Sequence, residues 1–180
     1  MRATTSLVAA ALVLAVSGAA RAEDAIKLSS QDRDFASHAL AGNMLEVDLG
    51  RMAQQHASGE QVKNFAKRLV DDHGKANQQL IGIAQRNGIT PPTHLQAKEQ
   101  ATIDRLSGVN GLAFDNVFVP MMVDNHKADI KDYEKEISQG QNAEIKDYAM
   151  QTLPVLQQHL QLAEDLARPQ GAQMPPGMTR

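Results

Sequence analysis

The feature that most constrains this chain is the spacing of its apolar residues, which from Ser30 to Leu166 recur at threes and fours over four long stretches. Such spacing draws one apolar stripe along an α-helix and offers no alternation for a half-buried strand. In the first stretch the stripe is Phe35, Ala39, Gly42, Leu45, Leu49, Met52 and His56, which predicts a helix over 30–57. Ser58-Gly59-Glu60-Gln61 reads as a capping box, with Ser58 accepting from the N3 amide and Gln61 reaching back. A second helix follows over 59–87, with Val62, Phe65, Leu69, His73, Ala76, Leu80 and Ile83 inward and Asn87-Gly88 closing it. Thr90-Pro91-Pro92-Thr93, Gly108 and Gly111 cannot continue a helix, so 88–111 is a long connection with a short helix near 95–107. The third long helix spans 112–139, carrying Val119, Val123, His126, Ile130, Tyr133 and Ile137, with Pro120 bending its first turns. Asn142 caps the fourth, whose stripe is Ile145, Tyr148, Thr152, Leu156, His159, Ala163 and Leu166 and which ends before Pro169. The fold class is therefore all-α: two helical hairpins joined by a long crossover, the ferritin-like form of a four-helix bundle.

Composition narrows the function classes. There is no cysteine among the 180 residues, which removes disulfides, iron–sulfur clusters, thiol catalysis and cysteine zinc sites together. A net charge of −3 argues against nucleic acid as a partner. At the amino terminus Met1-Arg2, the apolar run Leu7 to Val16 and Ala20-Arg21-Ala22 form a signal peptide over 1–22, cleaved after Ala22. That run is shorter than the roughly 20 apolar residues a spanning helix needs, so no membrane span is expected after cleavage. The mature protein is expected in the periplasm or secreted, with a short lead over 23–29, one bundle domain over 30–167 and a disordered Pro/Gly-rich tail over 168–180.

Apart from His56 at the end of the first stripe, three of the six histidines fall on or beside the inward stripes: His73, His126 and His159. His73 and His126 sit at the middles of their helices and should share a level. Glu46 is displaced from the middle of the first helix by about 4 Å and His159 from that of the fourth by about 7 Å, at 1.5 Å rise per residue. With a crossover both displacements run the same way, and Glu46, His73, His126 and His159 cluster, one from each long helix. In a simple up-down-up-down bundle Glu46 and His159 would instead diverge by about 11 Å along the axis. Three imidazoles and a carboxylate suit Cu, Zn, Fe or Ni better than Mg or Ca. Asp72 and Asp124 could orient or charge-balance the ligands from outside, and Met122, one turn before His126, would add a soft donor favouring copper. Buried, hydrogen-bonded histidines with no ligand role would give the same pattern. A di-iron ferroxidase centre is not expected, because Val70, Val123 and Leu156 stand where Glu-x-x-His needs its glutamate. His38, His56 and His94 read as surface or helix-end residues, and Met44 and Met52 as packing.

The segments Gly42-Asn43-Met44-Leu45-Glu46-Val47-Asp48-Leu49-Gly50, Val70-Asp71-Asp72-His73, Met122-Val123-Asp124-Asn125-His126-Lys127 and Leu153-Pro154-Val155-Leu156-Gln157-Gln158-His159-Leu160 together resemble the bacterial family called domain of unknown function 4142. The resemblance covers about residues 30 to 167. It implies a ferritin-like, exported bundle, with members often labelled outer-membrane or membrane proteins, and it implies no established activity. Asn125 stands where the related pattern tends to have Asp.

Two functions remain open: a periplasmic bundle binding a transition metal or small ligand through the histidine layer, and a structural or stress-related protein that engages an envelope protein partner. A redox enzyme, or haem held between His and Met, fits less well without paired bridging carboxylates. No nucleophile motif, phosphate loop or triad is visible, and enzymatic activity is not expected.

Overall fold

The computed structural model describes residues 28–168. The leader over 1–22, the lead up to residue 27 and the tail beyond Arg168 lie outside the described residues. Five helices follow one another: α1 (Ser30–His56), α2 (Glu60–Arg86), α3 (Ala97–Ser107), α4 (Leu112–Gln139) and α5 (Ala143–Ala167). Among the described residues there is no β-strand, and no helix is long and apolar enough to cross a membrane.

Helix ends are fixed by side chains that tie the bundle together. Ser29 and Asp32 form a capping box at the start of α1. Asp32 also accepts from the amides of Gln141 (2.8 Å) and Asn142 (3.0 Å), joining that end to the α4–α5 turn. At the start of α2 the expected Ser58–Gln61 box does not form: the N-cap is Gly59, with no side-chain cap of its own. Asp115 of α4 supplies the acceptor instead, taking the amides of Ser58 (3.2 Å) and Gly59 (3.0 Å) and the Ser58 hydroxyl (2.6 Å). A carboxylate at a helix N-terminus accepts stronger bonds than a neutral hydroxyl, which explains the exchange. Asn142 caps α5 through Ile145 N, as the sequence suggests.

These ties fix the topology. Gly111 N donates to His56 O, and His56 Nδ1 lies 2.8 Å from Val109 O, so α4 begins beside the α1–α2 turn. The α4–α5 turn meets the opposite end, where Asn142 reaches Asn87 and Gln31 reaches Glu136. Residues 88–111 thus cross the length of the molecule, and the four long helices run up-down-down-up, with α1 packed on α2 and α4, and α5 on α2 and α4. At Gly50 the backbones of α1 and α2 approach so closely that a Cβ would stand 2.8 Å from Ala66 O.

The apolar core is in two parts. One contains Phe35, Leu40, Leu80, Tyr133, Ile145 and Tyr148; the other contains Leu49, Phe65, Leu69, Phe114, Phe118 and Met122. Between them, at the middle of the bundle, lies a buried polar layer of Asn43, Glu46, His73, His126 and His159. An unpaired polar group here costs about 1–3 kcal/mol, so each member of the layer demands a partner.

Candidate metal centre

His73 of α2, His126 of α4 and His159 of α5 converge in this layer, with ring centroids 5.3 to 5.6 Å apart. One ring nitrogen from each lies within 4.8 Å of the other two. Each ring is anchored by its other nitrogen to a different acceptor. His73 Nδ1–H donates to Asn43 Oδ1 at 2.9 Å. The amide is held in that sense because its Nδ2 donates to the Tyr148 hydroxyl at 3.0 Å, and Tyr148 lies 3.2 Å from the Tyr133 hydroxyl. His126 Nδ1–H donates to the Met122 carbonyl at 2.9 Å. His159 Nε2–H donates to the Asp72 carboxylate at 3.0 Å, and Arg68 donates to the same oxygen from outside at 3.4 Å.

With the protons held outward, the lone pairs of His73 Nε2, His126 Nε2 and His159 Nδ1 all face inward. His126 Nε2 and His159 Nδ1 stand 3.3 Å apart. His73 Nε2 is buried with no hydrogen-bond partner. Three unprotonated nitrogens facing one point repel one another until a cation or a proton lies between them. A metal bound at about 2.0–2.1 Å places imidazole nitrogens roughly 3.3–3.5 Å apart, and the His126–His159 pair already has that spacing.

Electrostatics keep the rings in their ligand form. Burial pushes His73 well below the ordinary imidazole range, and the neighbouring His126 and His159 add to the effect. Burial lowers His126 as well, against the bond to Met122. His159 is pushed down to about 4 by burial, opposed by Asp72. All three are neutral at pH 7, the state that binds metal.

The other expected residues are placed as follows. Glu46 is 2 % exposed, but its Oε1 accepts from Asn125 Nδ2 at 3.1 Å and the structure does not bring it into the group of converging nitrogens. Its burial raises the carboxyl to about 7, against the Asn125 bond, and Asp129 beside it is likewise raised to about 7, by burial and then by Glu46. Asp72 touches the triad through His159. Asp124 is exposed and makes no hydrogen bond to the triad. Met122 contributes its backbone carbonyl to His126, and its side chain packs in the second apolar cluster.

Asn43 is the functional residue that the sequence reading missed. Ala39, Asn43, Glu46, Gly50 and Ala53 are all buried, and they form an inward stripe at fours and threes. The buried stripe runs through Asn43 and not Gly42, and a polar residue at a core position is the sequence signal for it.

Fold and layer together define, among the described residues, a helical bundle with a buried three-histidine group that could hold a metal ion. The chain belongs to the family described as domain of unknown function DUF4142, which matches residues 17–166. Among solved structures it is similar to a DUF305 fragment from Deinococcus radiodurans (16% identity, TM-score 0.66, covering 79% of this chain and 99% of that one). It is also similar to CopM in its Cu(I)-bound form (15%, 0.63, 74% and 93%). A DUF305 protein from Streptomyces coelicolor, provisionally described as secreted, matches with 14% identity and a TM-score of 0.64, over 76% of this chain and 91% of that one. At these identities the likeness is one of fold. Curated proteins give no match.

Proposed function

We propose that this chain is an exported bundle that holds a single transition-metal ion on His73, His126 and His159, and that monovalent copper is the ion it fits best. The observation that carries the reading is the His73 Nε2 lone pair, buried without a partner and turned toward two further imidazole lone pairs. A histidine kept for packing alone would satisfy both nitrogens or expose one. Charge favours a monovalent ion. The donor set is three neutral rings, no carboxylate stands among the converging nitrogens, and the cost of taking an ion out of water grows with the square of its charge. Imidazole also suits zinc and iron, but those divalent ions would gain only the charge of Asp72, one ring away. The fold shared with CopM, seen with Cu(I) and with Ag, supports the choice of ion. The amino-terminal sequence and the provisionally secreted neighbour support export.

The test is equilibrium loading with Cu(I) under anaerobic reducing conditions, and with Ag(I) and Zn(II) in parallel. Gel filtration and elemental analysis then follow for the wild type and for His73→Ala, His126→Ala and His159→Ala. One Cu(I) or Ag(I) per chain, lost in each variant that still folds by circular dichroism, is expected. Retention unchanged in all three variants, or no retention by the wild type, overturns the reading; preference for zinc overturns the choice of copper.

A further inference from the structure

All three rings of the triad are buried, and the groove that reaches two of them lies between α2 and α5. Between α2 and α5 runs a groove of about 230 Å³, and His73 and His159 form part of its lining. Two other grooves do not reach the triad. One of about 260 Å³ between α1 and α4 is lined by Asp34, His38, Asp129, Asp132 and Tyr133, and one of about 620 Å³ lies at the end of the bundle near Asp115 and Leu166. In the α2–α5 groove a single carboxylate, Asp72, is both partly exposed and bonded to a triad ring. The walls next to it are small and apolar: Ala76 stands one turn after His73, and Val155 one turn before His159.

We propose that the α2–α5 groove is the port through which the ion reaches the three histidines, with Asp72 as the residue that attracts it at the inner end. The proposal rests on the metal-binding reading and adds to it a route and a capture residue. His159 connects the two stations physically, since one ring nitrogen bonds Asp72 and the other faces the triad. A cation drawn to Asp72 is therefore one imidazole width from its final ligands, and only the ring separates it from them. Two cations oppose entry, Lys75 on the same lining and Arg68 at 3.4 Å from the Asp72 carboxylate, so the attraction at the inner end depends on Asp72. Negative charge at the mouth of a low-dielectric groove raises the rate of cation arrival more than the final affinity.

The test separates rate from equilibrium. Ala76→Phe and Val155→Phe each narrow the groove from one wall without replacing a ligand, and His38→Trp adds bulk in the α1–α4 groove. Full-length protein is mixed with Ag(I), quenched at set times with excess thiol chelator, desalted and analysed for silver. The groove variants are expected to load at least about tenfold more slowly while reaching wild-type occupancy at equilibrium, and His38→Trp to load as the wild type does. Asp72→Asn, which keeps an acceptor for His159 but removes the charge, is expected to slow loading about threefold to tenfold and to flatten its salt dependence. Lys75→Gln is expected to speed it. Wild-type loading rates in both Ala76→Phe and Val155→Phe overturn the port, as does slowing by His38→Trp alone. A wild type that retains no silver at equilibrium overturns the metal reading itself, and so the two failures are distinct.

Discussion

Replacing Asn43 by leucine isolates the contribution of the residue that holds His73 in its ligand form. Leucine keeps asparagine's branching and number of heavy atoms, and the position lies between two apolar clusters, so the substitution removes polarity and adds volume only beside apolar neighbours. The His73 Nδ1–H then loses its acceptor at 2.9 Å, while the Tyr148 hydroxyl loses one donor but keeps Tyr133 at 3.2 Å. One orphaned buried N–H costs about 1–3 kcal/mol, and the added apolar burial returns about 1–2, so the metal-free protein should lose only about 1 kcal/mol in urea unfolding. Metal binding should suffer more. Without Asn43 the His73 proton is free to move to Nε2, where it blocks the lone pair that faces the triad. Loss of a residue that orients a ligand histidine typically weakens metal binding by about 10–100-fold, or about 1.4–2.7 kcal/mol. Competition with a chromophoric Cu(I) chelator at pH 7 measures this directly. Asn43→Asp, which keeps an acceptor for Nδ1–H, should recover most of the affinity. An Asn43→Leu protein that binds Cu(I) as tightly as the wild type, while His73→Ala does not bind, would refute the claim that the asparagine sets the tautomer.

Three further outcomes are expected. Gly50→Ala should lower stability by about 1–3 kcal/mol in thermal or urea unfolding despite alanine's better helix propensity, because its Cβ would stand 2.8 Å from the Ala66 carbonyl and helices α1 and α2 would have to part. Asp115→Ala should cost about 2 kcal/mol and speed amide exchange at Ser58 and Gly59, whereas Gln61→Ala should cost nothing measurable in the same assays. The His159 ring, lowered in the folded protein from 6.5 to about 4, contributes stability that is present above pH 6.5 and is lost as pH falls toward 4, up to about 3 kcal/mol in the metal-free state. Glu136, raised by burial from 4.5 to about 7, acts in the opposite sense: its contribution is complete below pH 4.5 and disappears as pH rises to 7. Urea unfolding of the wild type, His159→Gln and Glu136→Gln across pH 4 to 8 should therefore show His159→Gln less sensitive at the acid end and Glu136→Gln less sensitive between 4.5 and 7; parallel curves would refute both assignments.

The histidine layer was legible because its members stand on inward stripes and because the crossover fixes their levels. His73, His126 and His159 could be brought together on paper from helix rise and topology alone. Glu46 was placed at the same level, yet level along an axis does not specify which way a carboxylate turns. Its bond to Asn125 is a matter of rotation about α1 and of a neighbour on α4. The capping of α2 failed for a similar reason. Ser58 and Gln61 satisfy a local rule, but a carboxylate 57 residues away in sequence competes for the same amides and wins.

By itself the sequence determined the quantities that depend on neighbours three and four residues apart: helical state, helix limits to within a few residues, the inward stripes and the need for a long crossing between the hairpins. Tertiary structure alone decided the contacts between stripes. It chose Asp115 as the cap of α2 and Asn43 as the anchor of His73, turned Glu46 toward Asn125, and placed the groove that reaches the triad between α2 and α5. Local periodicity is written in backbone geometry, which every residue shares. The direction of a buried polar side chain is set by whichever acceptor or donor the opposing helix presents, and that becomes defined only when the four helices have packed.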